Sequence, residues 1–264
     1  MAVLDLEAQR KALLDQTERL ADLVRGSDPH TPIPTCPGWT LADLLIHLGG
    51  GHHWAATMIT DRATTRLSRE NTPHRMPPAD PEQADEWLRH TARTVLDAVD
   101  TTGTEVPIWT PIGPMLPARW WIRRRLHEAT AHGADAALAL GHDVTMAPEL
   151  AADGLSESLE ILQTALVFTA RSVPGNLTAP LPGGEILTLH ATDATRAHPR
   201  DWTIRPAGDT IEWNHDPTPG TITIHGSAVD LYLTMLRRIP ADTTRLDITG
   251  DRDILTHWLQ RTVL

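Results

Sequence analysis

Two polar residues four positions apart, Glu128 and His132, constrain the fold of this chain more than any other feature of its sequence. Residues at this spacing lie on the same face of a helix, so both side chains point towards the same neighbour. The run does not match the His-Glu-x-x-His motif of zinc proteases, in which the two histidines are four positions apart. His127 lies about 140° around the helix from His132, so it is expected to be structural or to support the pair from outside.

A third polar residue, His47, is predicted to lie on another helix. Thr40 followed by Asp43 resembles a capping box, so this helix should begin near Leu41. His47 then falls on the apolar, inward stripe, beside glycines at positions 49–51 that would leave room for a ligand. A lone histidine at such a position is usually a core residue hydrogen-bonded to a backbone carbonyl, and this alternative stays open for His47 alone.

Taken together, His47, Glu128 and His132 predict a metal site, because helical bundles build such sites from inward side chains on facing helices. Asp135, three residues after His132, is expected either to orient a ligand or to form a salt bridge on the helix face. Arg124, four residues before Glu128, is expected to neutralise an anionic substrate, to pair with a carboxylate, or to lie in solvent.

Apolar periodicity predicts two domains, which 264 residues suffice to form. The first, residues 1–150, should be a four-helix bundle with a long Pro-rich crossover. Its helices are expected near 6–24, from 41, near 87–99 and at 119–140, and the crossover at 61–81. The second, residues 151–264, should be a small α+β domain. Its helices are expected at 153–172, 227–236 and 251–261, and its strands at 186–190, 202–204, 210–213, 221–225 and 245–248.

Two stretches of the first domain carry a recognisable motif. One runs from Pro34 to Leu48 and includes Cys36-Pro37-Gly38-Trp39, and the other is Glu128-x-x-x-His132-x-x-Asp135. In order and spacing they resemble the mycothiol-dependent maleylpyruvate isomerase family, within the broader DinB-like superfamily. Residues 187–193 and 236–240 are similar to the carboxy-terminal domain of that family, so the resemblance covers most of the chain. It implies a DinB-like metal-binding bundle at 1–150 and an α+β domain at 151–264.

The resemblance also implies a ligand set and a cosubstrate. The divalent metal of the family, usually zinc, would bind His47, Glu128 and His132 and keep an exchangeable water, and mycothiol would be the cosubstrate. A thiol at the open position of such a site loses its proton near neutral pH and becomes a nucleophile. The expected function is therefore a metal-dependent enzyme that adds mycothiol to an electrophilic small molecule, as an S-transferase or as a cis–trans isomerase of the maleylpyruvate type.

Two further points bear on the substrate. The family has an arginine thought to help hold a dicarboxylate, and Arg238 is its nearest match, although a cation at a helix end also complements the helix dipole. The family normally has a basic and then a bulky residue after its second histidine, where this chain has Gly133 and Ala134. A metal-dependent hydrolase and a non-enzymatic ligand-binding module are the alternative functions.

Composition excludes several classes of partner. The formal net charge is −11 and Lys11 is the only lysine, which argues against the basic stripe that nucleic acids require. No apolar run of membrane length and no charged-then-apolar leader is present, so a cytoplasmic monomer or homodimer without a membrane partner is expected. The single cysteine, Cys36, excludes an internal disulfide and is expected to be structural, since no histidine is near it in sequence.

Overall fold

The computed structural model describes residues 4–172, 180–181, 183–193, 200–243 and 245–262, with only the backbone of 168–172. These residues form two compact units, Asp5–Thr145 and Met146–Leu264, and Leu4 belongs to the second. The first is helical and the second combines helices with a sheet, which confirms the predicted fold class.

The first unit contains four helices, α1 to α4. They are α1 Leu6–Val24, α2 Leu41–Thr60, α3 Pro81–Thr102 and α4 Arg119–Ala139, with a two-stranded hairpin of β1 Pro107–Ile108 and β2 Leu116–Pro117 before α4. The amino ends of α1 and α3 are capped by aspartates. Asp5 accepts a hydrogen bond from the backbone N–H of Ala8, and Asp80 accepts one from Gln83. These bonds satisfy N–H groups that a helix leaves unpaired at its start.

Small residues on α4 pack into the apolar core beside α2. Ala129 and Ala136 are fully buried in one cluster with Leu44 and Leu48 of α2. Truncation of such a leucine to alanine costs roughly 2–5 kcal/mol, because it removes buried area and leaves a cavity. The polar residues that follow the same helical repeat are thereby held at fixed positions between the two helices.

The second unit begins with α5, Pro148–Ser172, and continues into a sheet with the strand order β5-β4-β3-β6-β7 along its described residues. The elements are β3 Leu187–Ala191, β4 Asp201–Ala207, β5 Thr210–Asn214, β6 Ile222–Gly226, α6 Ala228–Met235, β7 Asp247–Gly250 and α7 Arg252–Arg261. β3 pairs in parallel with β6, and the other pairs are antiparallel. Buried Trp202 on β4 donates a hydrogen bond to Ser156 Oγ on α5, which ties the sheet to that helix.

Along the described part of the chain, no helix combines the length and the apolar character that crossing a membrane requires.

Candidate metal centre

The start of α2 fixes the position of His47. Thr40 and Asp43 form the predicted capping box: the N–H of Thr40 donates to Asp43 Oδ2 at 2.9 Å, and the N–H of Asp43 donates to Thr40 Oγ1 at 3.3 Å. An antiparallel bridge between Pro32 and Thr40 holds the preceding loop against this cap. His47 follows about two turns later on a helix whose first residue is therefore well defined.

His47, Glu128 and His132 meet between α2 and α4. Glu128 Oε2 lies 3.3 Å from His47 Nε2 and 3.7 Å from His132 Nε2, and the three donor atoms lie within 4.8 Å of one another. Adjacent ligands of a tetrahedral zinc ion with bonds of about 2.0–2.1 Å are separated by about 3.4 Å. The donor types and their spacing thus fit a divalent metal, which would bind the two Nε2 atoms and the carboxylate.

Asp135 orients the second histidine. Its side chain is fully buried, and its Oδ2 lies 2.9 Å from His132 Nδ1. Oδ1 accepts a hydrogen bond from Thr35 Oγ1 at 2.6 Å. A histidine that donates Nδ1–H to a carboxylate keeps the lone pair of Nε2 for a metal. Of the two roles expected for Asp135, this contact agrees with the orientation of a ligand.

Two arginines keep Glu128 ionised. Arg124 Nη2 lies 2.8 Å from Glu128 Oε1, and Arg125 Nη1 lies 3.6 Å from Oε2. Burial alone would raise the pKa of Glu128, but Arg124, the hydrogen bond with His47, and Arg125 together hold this pKa well below its ordinary range. Burial lowers the pKa of His47, against the opposing effect of Glu128. The side chains therefore stand as a carboxylate and a neutral imidazole, the forms that bind metals.

Trp39 forms an aromatic wall beside both histidines. Its ring centroid lies 4.8 Å from that of His47 and 5.9 Å from that of His132. Its position in the sequence gave it no predicted role, because it lies in a loop without periodicity. The indole limits the directions from which a ligand can approach the two imidazoles.

A cavity of about 450 Å³ opens at His47. Its wall includes Trp39 and His47, two glycines of α2, and two arginines from the crossover between α2 and α3. The glycines are Gly50 and Gly51, and the arginines are Arg69 and Arg75. These two arginines had no predicted role. The Pro-rich crossover has no repeat from which the direction of a side chain can be read, so no sequence signal placed them here.

Protein side chains use much of the space beside the glycines of α2. A Cβ at Gly49 would lie 2.3 Å from the ring of Trp87, and one at Gly51 would lie 2.7 Å from Arg125 Nη2. The expectation that these glycines leave room for a ligand is wrong at Gly49. At Gly51 the same space admits the arginine that contacts Glu128, so the glycine serves the ligand set indirectly.

Two family profiles match the sequence. The profile of the mycothiol maleylpyruvate isomerase N-terminal domain matches residues 11–137, and that of the MDMPI C-terminal domain matches residues 149–257. The chain belongs to the mycothiol maleylpyruvate isomerase family. This result confirms the predicted family and places the chain among enzymes.

Solved structures of family members share the fold. The chain is similar to the crystal structure of the mycothiol-dependent maleylpyruvate isomerase, with a TM-score of 0.55 and 16% sequence identity over 94% of this chain and 95% of that chain. A mutant of that isomerase gives a TM-score of 0.54 with the same identity and coverage. No curated protein matches the sequence significantly.

Three further residues of the first unit were singled out from the sequence, namely His127, Cys36 and Gly133. His127 is buried and is not among the grouped donor atoms. Cys36 Sγ lies 3.5 Å from Asp135 Oδ2 and, with that residue, within 4.8 Å of a donor atom of His132. The cysteine is therefore close to a histidine in space, although no histidine is near it in sequence. A Cβ at Gly133 would meet no heavy atom within 4 Å, so the position is open.

The two adjacent arginines of the second unit have different surroundings. Arg237 Nη1 donates to the carbonyls of Leu259 and Thr262, at 3.0 and 2.9 Å, and so ties the end of α6 to that of α7. Arg238 Nη1 donates to the carbonyl of Leu236 at 2.7 Å. The role of Arg238 in binding a substrate stays a prediction.

Proposed function

We propose that this member of the family is a mycothiol-dependent cis–trans isomerase of the maleylpyruvate type, with a divalent metal held by His47, Glu128 and His132. The convergence of the three donor atoms between α2 and α4 carries the proposal, since two imidazoles and one carboxylate leave an open coordination position. Zinc or a similar cation would supply a Lewis acid there that favours the thiolate form of a coordinated thiol.

The proposed reaction conserves atoms and electrons. The sulfur of mycothiol adds to one carbon of the electron-poor double bond, and the π electrons move to the conjugated carbonyl as an enolate. The former double bond is now single and rotates. When the electrons return, the C–S bond breaks, the thiolate leaves unchanged, and the trans isomer is released without any oxidant.

The side chains of the centre have separate tasks in this proposal. Asp135 holds His132 with Nε2 directed at the ligand group, and Arg124 balances the charge of Glu128. Trp39 would exclude water from one side of the reacting sulfur, because its ring lies beside both imidazoles. Arg238 is proposed as an anion-binding residue, and Arg238→Gln is expected to raise the KM for the electrophile while leaving the metal content unchanged.

Metal analysis tests the ligand set. His47→Ala and His132→Ala are expected to lose the bound zinc, measured by mass spectrometry of the metal, while the circular dichroism of the helices is retained. His30→Ala, at an exposed position of the same unit, is the matched control and should keep the metal. Retention of the metal by both ligand variants would disprove the assignment.

A cobalt-substituted sample tests the thiol. Addition of mycothiol should produce a sulfur-to-metal charge-transfer band, and the zinc-loaded chain should then convert maleylpyruvate only when mycothiol is present. Hydrolysis of esters or amides without thiol would favour a hydrolase, and absence of metal binding after reconstitution would favour a binding module.

One observation favours S-transfer as a second outcome. The open position at Gly133 carries no basic side chain next to His132, where the family normally has one. A less specific pocket would allow mycothiol to remain on the electrophile as a thioether. Mass spectrometry of the products distinguishes a conjugate from a trans isomer of unchanged mass.

A further inference from the structure

The crossover between α2 and α3 brings two cations to the cavity that opens at His47. Arg69 and Arg75 both line this cavity of about 450 Å³. Its volume lies within the range of small-molecule sites, which is about 300–1,000 Å³. Both arginines come from one loop, whereas the candidate metal ligands come from α2 and α4.

Arg69 is held by an aromatic ring and leaves its donors available. Its Cζ lies 4.8 Å from the centroid of the Trp54 ring, a cation–π contact that favours this position of the guanidinium. Within the described ranges, the guanidinium of Arg69 makes no hydrogen bond or ion pair with the protein. Trp54 itself donates to the carbonyl of Leu67 at 3.0 Å, which anchors the loop two residues before Arg69.

Gly50 allows Arg75 to lie close to α2. A Cβ at Gly50 would lie 2.8 Å from the carbonyl oxygen of Arg75 and 2.9 Å from its Cγ, so only glycine lets this stem approach α2 so closely. Gly50 lies one turn after His47 on α2. The backbone and Cγ of Arg75, which approach Gly50, therefore lie close to the candidate ligand. Among the residues that the structure describes, the guanidinium of Arg75 also has no carboxylate partner.

Within the part of the chain that the structure describes, Arg69 and Arg75 lack the ion pairs that several other arginines of the first unit make. The formal net charge is −11, and other arginines of the first unit have close partners, such as Arg10 with Asp100 at 2.7 Å and Arg89 with Asp22 at 2.8 Å. Burial lowers the pKa of Arg69, Glu128 raises it, and the like charges of Arg66 and Arg75 lower it further. An anion between Arg69 and Arg75 would relieve this repulsion.

We infer that Arg69 and Arg75 form an anion-binding pair that holds a carboxylate of the electrophilic substrate beside His47. The guanidinium fork matches the two oxygens of a carboxylate, which gives direction as well as attraction. Asp43, the acidic residue on the same wall, has its carboxylate engaged by the cap of α2. The assignment of the bound carboxylate to the substrate rests on the proposed function, whereas the anion site itself does not.

Calorimetric titration with succinate tests the pair in the full chain, both zinc-loaded and metal-free. Arg69→Gln and Arg75→Gln are each expected to weaken succinate binding about tenfold in both forms, and the double variant should abolish measurable binding. Arg66→Gln, on the same loop but outside the cavity lining, is the matched control and should change the affinity less than about twofold. Arg69→Lys should restore only part of the affinity, since it keeps the charge but loses the fork.

Three results would overturn the inference. They are unchanged succinate binding in both single variants, an equal loss in Arg66→Gln, and tighter binding of inorganic phosphate than of succinate. Circular dichroism checks that each variant is folded.

Turnover separates this inference from the proposed function. If the isomerase proposal also holds, Arg69→Gln and Arg75→Gln should raise the KM for maleylpyruvate about tenfold and leave the conjugation of a neutral electrophile, 1-chloro-2,4-dinitrobenzene, nearly unchanged. If no thiol-dependent turnover occurs, arginine-dependent succinate binding still supports the anion site while the proposed function fails. An equal loss of activity towards both electrophiles would count against a role in binding the substrate carboxylate.

Discussion

Asp135, a single buried carboxylate, joins three side chains at the candidate metal centre. It contacts His132 at 2.9 Å, Thr35 at 2.6 Å and Cys36 at 3.5 Å. The loop before α2 and the histidine on α4 are thus connected through one residue. An isolated carboxylate would not persist in such surroundings, because burial of an unpaired charge is costly.

Asp135→Asn is expected to weaken zinc binding about 10- to 100-fold, since the amide accepts the imidazole N–H less strongly and permits the other tautomer. Competition with a chromogenic chelator measures the change. Thr35→Val, which removes only the hydrogen bond to Oδ1, is the control and should have a smaller effect. Equal zinc affinity in Asp135→Asn and the wild type would contradict the orienting role.

At the scale of elements, α2 and α4 each contain a helical glycine in a different environment. A Cβ at Gly50 would meet Arg75, whereas one at Gly133 would meet no heavy atom within 4 Å. Gly133→Ala should therefore raise the free energy of unfolding by about 0.5–1 kcal/mol through helix propensity. Gly50→Ala should lower it by about 1–3 kcal/mol, because the loop backbone must move.

Urea unfolding of the metal-free variants measures both effects. The same substitution serves as its own control at the two sites, since the chemical change is identical. Stabilisation by alanine at both positions would show that the contact between Gly50 and Arg75 is dispensable.

The contact between α2 and α3 contains a buried histidine whose protonation depends on folding. His52 is fully buried, and its Nδ1 lies 2.8 Å from Thr91 Oγ1. Thr91 donates its own proton to the carbonyl of Leu88, so the imidazole must donate Nδ1–H. Burial, followed by the charge of Arg125, lowers the pKa of His52 well below 6.5.

Acidification should therefore destabilise the first unit. The unfolded chain accepts a proton near pH 6.5, whereas folded His52 does not, so the free energy of unfolding falls as the pH drops below that value. His52→Asn keeps an N–H near Thr91 but does not titrate, and should reduce this slope by up to about 1.4 kcal/mol per pH unit. Urea unfolding of metal-free protein between pH 5 and 8 tests it, with exposed His90→Asn as the control. Parallel curves for His52→Asn and the wild type would disprove the effect.

At the scale of the whole molecule, the candidate metal ligands all belong to the first of two compact units. A ligand that binds only folded protein stabilises it by about 4 kcal/mol at a thousand times its Kd. Zinc should therefore raise the temperature of one calorimetric transition and leave that of the second unit in place. In His132→Ala, the addition of zinc should change the temperature of neither transition. A single transition that shifts as a whole would mean that the units unfold together.

Much of the architecture could be predicted because its signals are local. The cap at Thr40 and the i, i+4 pair of Glu128 and His132 depend on helical periodicity alone. Strand β7 was predicted at 245–248 but runs Asp247–Gly250, because pairing of Ile224 with Ile248 sets its register. Sheet register depends on a partner strand distant in sequence, so local propensity does not determine it.

The cavity wall could not be predicted for a different reason. Arg69 and Arg75 lie in the crossover, where each side chain's direction depends on tertiary contacts with Trp54 and Gly50. The position of Cys36 near His132 likewise arises only when the loop before α2 packs against α4. Helices reveal their faces in sequence, whereas loops do so only after folding.

The helices carry the candidate metal ligands and the crossover carries the proposed anion site, and this separation has a consequence for substrate selectivity. The candidate metal ligands are carried by α2 and α4, while Arg69 and Arg75 are carried by the crossover, whose backbone is anchored to the bundle at Trp54 and Gly50. Replacement of these two side chains would change the proposed anion site without removing a candidate metal ligand. Libraries that vary residues 66–75 alone are therefore the most economical route to altered selectivity.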